Sequence, residues 1–235
     1  MESSAQPRKC DVIFVLGPPG CGKSTVCKSA ISQFDRHKYR FLHISMGDYL
    51  RDLSLTEGRD STVDFDVDTI RSHIRESKLL PANIIIPLLE RQINNPTSNK
   101  DDTPSTWLID GFPRNMETAL AFDEKFGEPA AVIVLECAAD TARSRFLARR
   151  REETDNEVKF GERHSEYLQN MEALCKHYEG KVQTCSMEGS PEENLSRFVD
   201  VVLGIRTNQQ TSREALHGKK VTWETKISMH TRIPR

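Results

Sequence analysis

The chain has 235 residues, which suits one compact domain with a short insertion or tail, and a chain of this length buries roughly 70% of its unfolded surface. Its 33 lysines and arginines nearly balance its 35 aspartates and glutamates, so its charge gives no reason to expect nucleic acid or a membrane as a partner. The scattered cysteines form no C-x-x-C pair, no apolar run reaches the roughly 18 residues that span a bilayer, and residues 1–10 lack the apolar stretch of a secretory signal. We therefore expect a soluble protein of the reducing cytoplasm, with the nucleus as a second location.

Short apolar runs alternate with helical segments along most of the chain. Such alternation is typical of parallel strands joined by crossover helices. The sequence therefore predicts an α/β fold of three layers, in which helices cover both faces of a five-stranded parallel sheet. In chain order, the predicted elements are a strand at 12–16, a helix at 22–34, a strand at 41–44, helices at 48–53, 65–77 and 82–94, a strand at 106–109, a helix at 115–126, a strand at 131–135, helices at 139–151 and 157–179, a strand at 182–187 and a helix at 191–203.

One domain is predicted over residues 11–204, after a flexible N-terminus at residues 1–10. The remaining segment, residues 205–235, is polar and basic, and its composition predicts a disordered tail. The alternative is a docking or targeting segment, in which residues 221–227 form a short strand-like piece.

A glycine-rich segment, GPPGCGKS at residues 17–24, matches the pattern G-x-x-x-x-G-K-[ST] at every fixed position. It follows a predicted strand and opens a predicted helix, which is the context that a phosphate-binding P-loop requires. In such a loop the backbone N–H groups bind phosphate oxygens, Lys23 neutralises the terminal phosphates, and the Ser24 hydroxyl ligates Mg²⁺. The predicted ATP-binding residues of the loop are Gly17, Pro18, Pro19, Gly20, Cys21, Gly22, Lys23, Ser24 and Thr25.

A carboxylate, Asp110, follows the apolar strand predicted at 106–109. The carboxyl ends of parallel strands border the ligand crevice of an open α/β sheet. We therefore predict that Asp110 lies beside the P-loop and holds Mg²⁺ through water, so that Mg²⁺ accompanies ATP in the site. A P-loop with this carboxylate is common to kinases, GTPases and motor ATPases.

The segment DGFPR at residues 110–114 points beyond ATP binding, because ATP alone does not require its arginine. Together with residues 17–25, the segment HISMGDYLR at 43–51 and the weaker match KLLP at 78–81, it resembles the nucleoside monophosphate kinases, the family of adenylate kinases and UMP-CMP kinases. The resemblance covers residues 11–203 and leaves both termini outside it.

The resemblance implies a P-loop kinase that transfers the terminal phosphoryl group of MgATP to a nucleoside monophosphate, giving ADP and a nucleoside diphosphate. It further implies a helical acceptor-binding flap at residues 46–80, a short lid at residues 150–157 and a monomeric protein. The lid has no cysteines, which excludes the zinc-bearing long lid of some bacterial relatives.

The resemblance also assigns residue roles, and they agree with the need for cationic groups on both anionic substrates. Arg51 and Arg114 would hold the α-phosphate of the acceptor, while Arg149 would contact ATP, with Asp155 positioning the lid arginines. The catalytic set is then Lys23, Arg114, Arg149 and Arg163, with Arg163 on the transferring group. The implied acceptor-binding residues are Ser45, Met46, Gly47, Arg51, Leu79, Leu80, Gly111, Phe112, Arg114, Thr118 and Arg163.

The lid departs from the family pattern, because Glu152 stands where its second arginine belongs. Arg151 takes over that role if the shortened lid shifts by one residue. If it does not, turnover is reduced, and the alternative is a nucleotide-binding protein of low activity whose altered lid serves sensing or scaffolding.

Two departures concern the acceptor base. Met46 stands where adenylate kinases carry Thr and UMP-CMP kinases carry Ala, and Thr118 stands where both carry an amide side chain. Residues 112–117 and Pro81 look closer to the fungal and animal UMP-CMP kinases. We therefore expect UMP or CMP as acceptor, with AMP as the alternative.

Overall fold

The strands and helices follow the predicted order. The strands are β1 (Cys10–Leu16), β2 (Arg40–Ser45), β3 (Ser105–Asp110), β4 (Ala131–Glu136) and β5 (Val182–Ser186). The helices are α1 (Lys23–Phe34), α2 (Met46–Leu55), α3 (Val67–Arg75), α4 (Ala82–Ile93), α5 (Met116–Phe126), α6 (Ala139–Arg149), α7 (Glu157–His177) and α8 (residues 191–207). The computed structural model describes residues 10–34, 40–55, 67–76, 78–94, 105–149 and 155–207.

All five strands are parallel, and their order in the sheet is β2-β3-β1-β4-β5. Strands β3 and β4 run parallel to β1 because each crossover helix returns the chain to the same end of the sheet. The predicted α/β fold with a five-stranded parallel sheet is confirmed. The chain changes direction in the sheet on either side of β1, and at such a point the carboxyl ends of the strands open a ligand crevice.

Alternate residues of β1 point into two separate apolar cores, one on each face of the sheet. Phe14 packs edge-on against Phe122 and Tyr178, with ring centroids 4.9 and 5.8 Å away, and so joins the sheet to α5 and α7. Ile13 lies in the opposite core with Phe198, which belongs to α8. Burial of each large apolar side chain contributes about 1.5–3 kcal/mol, so these two cores fix the sheet between its helical layers.

Helix α2 begins at Met46, two residues earlier than predicted. Ser45 is its N-cap, because the Ser45 Oγ accepts a hydrogen bond of 3.4 Å from the Asp48 backbone N–H. The cap therefore turns the end of β2 directly into a helix, which leaves Ser45 and Met46 at the carboxyl edge of the sheet.

Helix α8 continues to residue 207, four residues past its predicted end. Ile205 is buried, and Arg206 donates to the Asp11 carboxylate at 2.6 Å. The first residues of the predicted tail thus belong to the domain. Residues 208–235, the N-terminal residues 1–9, and parts of the predicted acceptor flap and lid lie outside the described residues. Within the described ranges, no helix is both long and apolar enough to cross a membrane.

Candidate active site

The P-loop connects the carboxyl end of β1 to the first turn of α1, as predicted. At Gly20 (φ 85°) the loop approaches α6 so closely that an added Cβ would lie 2.0 Å from the Ala142 carbonyl oxygen, so a side chain is excluded there. The Lys23 Nζ donates to the carbonyl oxygens of Gly17 and Pro18 at 2.7 and 2.8 Å. The Lys23 side chain therefore reaches back from the start of α1 to the beginning of the loop.

Ser24 and Asp110 are brought together although they lie 86 residues apart in the chain. The Ser24 hydroxyl donates to the Asp110 Oδ1 at 3.1 Å and lies 3.1 Å from the Ser45 hydroxyl. Asp110 is 3% exposed. This set of carboxylate and hydroxyl oxygens at the carboxyl edge of the sheet fits a hard cation such as Mg²⁺.

His43, which opens the HISMGDYLR segment but was assigned no role there, completes the surroundings of this carboxylate. The His43 Nε2 lies 2.6 Å from the Asp110 Oδ2, and the histidine side chain is 9% exposed. Residues two apart on a strand share a face, so His43 lies on the same face of β2 as Ser45. The position of His43, two residues before the N-cap Ser45, is the sequence signal that places it on the same face.

A cavity of about 480 Å³ opens on one side of the P-loop. The predicted ATP-binding residues from Gly20 to Thr25 line it, and so does Arg149. Its opposite wall was not predicted: the Met187 carbonyl oxygen accepts hydrogen bonds from Arg145 at 3.0 Å and from Asn194 at 3.2 Å. These bonds tie α6 and α8 together across the mouth of the cavity.

A second cavity, of about 150 Å³, lies on the other side of the loop, between the sheet edge, α2, α3 and the start of α4. It shares Gly20, Lys23, Ser24 and Arg149 with the first cavity, so the two spaces meet at the P-loop. The structure places around it all the residues that the resemblance implied for the acceptor, namely Ser45, Met46, Gly47, Arg51, Leu79, Leu80, Gly111, Phe112, Arg114, Thr118 and Arg163.

Arg149 and Arg163 converge where the cavities meet. The Arg149 guanidinium lies over the Phe146 ring, 4.2 Å from its centroid, and that of Arg163 lies 6.0 Å from the same centroid. The Arg149 Nε also lies 3.4 Å from Asp155, whose side chain is 1% exposed. An aromatic ring and a buried carboxylate therefore orient Arg149 toward the shared space.

Each of the two arginines assigned to the acceptor phosphate has a carboxylate partner. Arg51 pairs with Asp48 one turn earlier on α2, and the Arg114 Nη1 lies 3.8 Å from the Glu166 Oε1. Burial raises the pKa of Glu166, and the charges of Arg114 and Arg163 oppose that rise. Glu166 was not among the predicted site residues; it lies on α7, as Arg163 does, and faces Arg114 in the segment after β3.

Two further polar side chains, Thr118 and His73, line the second cavity. Thr118 is 3% exposed, and its hydroxyl lies 2.8 Å from the side-chain oxygen of Asn115, the N-cap of α5. The His73 Nδ1 lies 2.8 Å from the Thr69 carbonyl oxygen, which can only accept, so Nδ1 carries a hydrogen and Nε2 is left for the cavity. His73 was not among the predicted site residues.

A family model described as "Adenylate kinase" matches residues 15–183, which is most of the chain. The chain belongs to the adenylate kinase family.

Three relatives in this family show how broad the similarity is. Adenylate kinase isoenzyme 5 of Homo sapiens is 32% identical over 191 residues, which cover 79% of this chain but only 31% of that protein. UMP-CMP kinase of Danio rerio is 32% identical over 193 residues, 79% of this chain and 93% of the relative. Uridylate kinase of Saccharomyces cerevisiae is 35% identical over 144 residues, 61% of this chain and 64% of the relative.

Membership of the adenylate kinase family does not decide whether Arg151 replaces the second lid arginine. Arg151 and Glu152, the two candidates for the second lid arginine, lie outside the described residues. Asp155 and Asn156, which follow them, are described, and Asn156 caps α7 by accepting from the Lys159 backbone N–H.

Proposed function

We propose that this chain is a nucleoside monophosphate kinase that transfers the terminal phosphoryl group of ATP to UMP or CMP, giving ADP and a pyrimidine nucleoside diphosphate. The observation that carries the proposal is the meeting of two cavities at one P-loop, with Lys23 and Arg149 in the walls of both. With ATP in the first cavity (the donor cavity) and the nucleoside monophosphate in the second (the acceptor cavity), the two substrates would present their phosphates to each other at the loop.

The chain's own residues supply positioning and positive charge, which is what phosphoryl transfer needs. The P-loop backbone and Lys23 would bind the ATP phosphates, and Arg51 and Arg114 would hold the acceptor phosphate from the opposite side. Arg149 and Arg163 would stabilise the charge that develops between them. Ser24 and Asp110 would hold Mg²⁺, which neutralises phosphate charge when it is bound.

Similarity to UMP-CMP kinase of Danio rerio over 93% of that protein supports a pyrimidine acceptor. Residues 112–117 and Pro81, which look closer to the fungal and animal UMP-CMP kinases, favour the same choice. Met46 is 1% exposed and lines the acceptor cavity, but its size alone does not favour a pyrimidine, because UMP-CMP kinases carry the smaller Ala there and adenylate kinases carry Thr. AMP is the second candidate, because adenylate kinase isoenzyme 5 of Homo sapiens is equally similar in identity.

A coupled assay for ADP release tests the proposal, with MgATP and a panel of UMP, CMP, dCMP, AMP and GMP. Preference for UMP or CMP supports it, whereas preference for AMP keeps the reaction and overturns the choice of acceptor. No stimulation by any acceptor, with measurable ATP binding, would overturn the kinase reaction in favour of a nucleotide-binding protein.

The same panel on Met46→Ala tests the role of that side chain. We expect the ratio of kcat/KM for UMP to that for AMP to rise, because Ala is the residue that UMP-CMP kinases carry at this position. Met116→Ala is the matched control, since Met116 packs against the apolar core at the start of α5. An unchanged ratio in Met46→Ala would show that Met46 does not select the base.

A further inference from the structure

A second group of metal-ligating atoms lies one helical turn along α1 from the predicted Mg²⁺ position. Cys27 follows Ser24 by three residues and shares its face of α1, while His43 precedes Ser45 by two and shares its face of β2. One ligand atom from each of Cys27, His43 and Asp110 lies within 4.8 Å of the others. Strands β2 and β3 and helix α1 therefore bring an imidazole, a carboxylate and a thiol close together.

This group is buried. Cys27 is a free thiol with no exposed surface, and Asp110 is 3% exposed. A bound divalent cation would displace the proton of the Cys27 thiol, which leaves to solvent, and its charge would offset the negative charge of the Asp110 carboxylate.

The ligand types select the cation. Mg²⁺ prefers oxygen ligands in octahedral geometry, whereas thiolate, imidazole and carboxylate together are ligands of Zn²⁺. With metal–ligand bonds of about 2.0–2.3 Å, tetrahedral ligand atoms lie roughly 3.3–3.7 Å apart. The His43 Nε2 and Asp110 Oδ2, now 2.6 Å apart, would separate by less than about 1 Å to admit the ion.

We propose that Cys27, His43 and Asp110 form a Zn²⁺ site that uses the carboxylate assigned to Mg²⁺, so that Zn²⁺ inhibits this enzyme by occupying Asp110. The ion has a route to the site, because Asp110 also lines the acceptor cavity. A water from that cavity completes a four-coordinate shell. The site goes beyond the proposed kinase reaction, since its occupation is a binding event that needs neither substrate.

Two measurements on the full chain test the site. Co²⁺ alone, titrated as a spectroscopic probe for Zn²⁺, should give the near-ultraviolet band of a cobalt–thiolate bond in the wild type. Cys27→Ala and His43→Gln should each weaken Co²⁺ binding by at least about 10-fold, as loss of a ligand does. Cys175→Ala, which removes a partly buried thiol from α7, is the matched control and should keep the band.

The second measurement is inhibition of ADP release by Zn²⁺ at a fixed excess of MgATP. The concentration for half-inhibition should rise by at least about 10-fold in Cys27→Ala and stay unchanged in Cys175→Ala. Equal inhibition of all variants, or a cobalt–thiolate band that survives in Cys27→Ala, would overturn the proposal. His43→Gln serves as the deciding variant if Cys27→Ala does not fold. Because the Co²⁺ titration needs no activity, its failure is distinguishable from failure of the kinase reaction.

Discussion

The Arg149 Nε lies 3.4 Å from the Asp155 carboxylate, so the last residue of α6 is paired with the residue before the cap of α7. The Asp155 side chain is 1% exposed, and the Arg149 guanidinium lies over the Phe146 ring. The pair therefore joins the two ends of the predicted lid at the point where donor and acceptor cavities meet. The pair affects function because it fixes the position of Arg149.

Asp155→Asn should lower kcat by roughly 10- to 100-fold, because it removes the buried negative charge that positions Arg149, and a misplacement of about 1 Å in a catalytic group can cost about 100-fold. The acceptor KM should change little, since Arg51 and Arg114 are untouched. Steady-state kinetics with both substrates varied, together with thermal unfolding, measures the effect. Asp200→Asn, at an exposed position of α8, is the control. A fall in stability that accounts for all the lost activity would show that the pair is structural only.

Lys23→Met should abolish detectable transfer, with a loss of kcat of at least about 100-fold, since it removes a positive charge from the phosphates in the transition state. Single-turnover assays with saturating ATP check this. Lys125→Met provides a matched control, because Lys125 pairs with Glu90 at the last turn of α5. Full turnover in Lys23→Met would contradict the P-loop assignment.

Arg114→Ala should raise the acceptor KM and lower kcat, with each effect roughly 10-fold or more, while the KM for ATP stays nearly constant. Arg114 lines the acceptor cavity and not the wall of the donor cavity. Arg143→Ala, which removes an exposed partner of Glu157, is the control. If the KM for ATP alone rose, Arg114 would belong to the donor.

Much of this site could be predicted because motifs place chemistry at the ends of strands. The P-loop and Asp110 follow apolar runs, and parallel pairing carries every strand end to one edge. His43 could not be found in this way, because its role depends on the register that sets Ser45 opposite Asp110 across β2 and β3. The end of α8 was also missed, since Arg206 meets Asp11 from 195 residues away and no local pattern reports that contact.

His73→Leu should raise the acceptor KM by about 5- to 10-fold and leave the KM for ATP unchanged, because a hydrogen bond to the base is worth about 1 kcal/mol. The His73 ring lines the acceptor cavity, and its Nδ1 faces the Thr69 carbonyl oxygen, which leaves Nε2 for the base. His73→Gln, which keeps a polar group, should recover part of the loss. Equal kinetics in wild type and His73→Leu would exclude His73 from base binding.

Removal of residues 208–235 should leave turnover and stability unchanged, whereas removal of residues 205–235 should destabilise the domain. The longer deletion exposes the core around Ile205 and breaks the contact of Arg206 with Asp11, whose side chains are 11% and 18% exposed. Arg206→Ala alone should cost about 1–3 kcal/mol. At roughly 2–4 °C per kcal/mol, the Tm should fall by several degrees. Thermal unfolding of the three variants beside the full chain separates these effects, and a loss of activity in the 208–235 deletion would show that the predicted tail contributes to the enzyme.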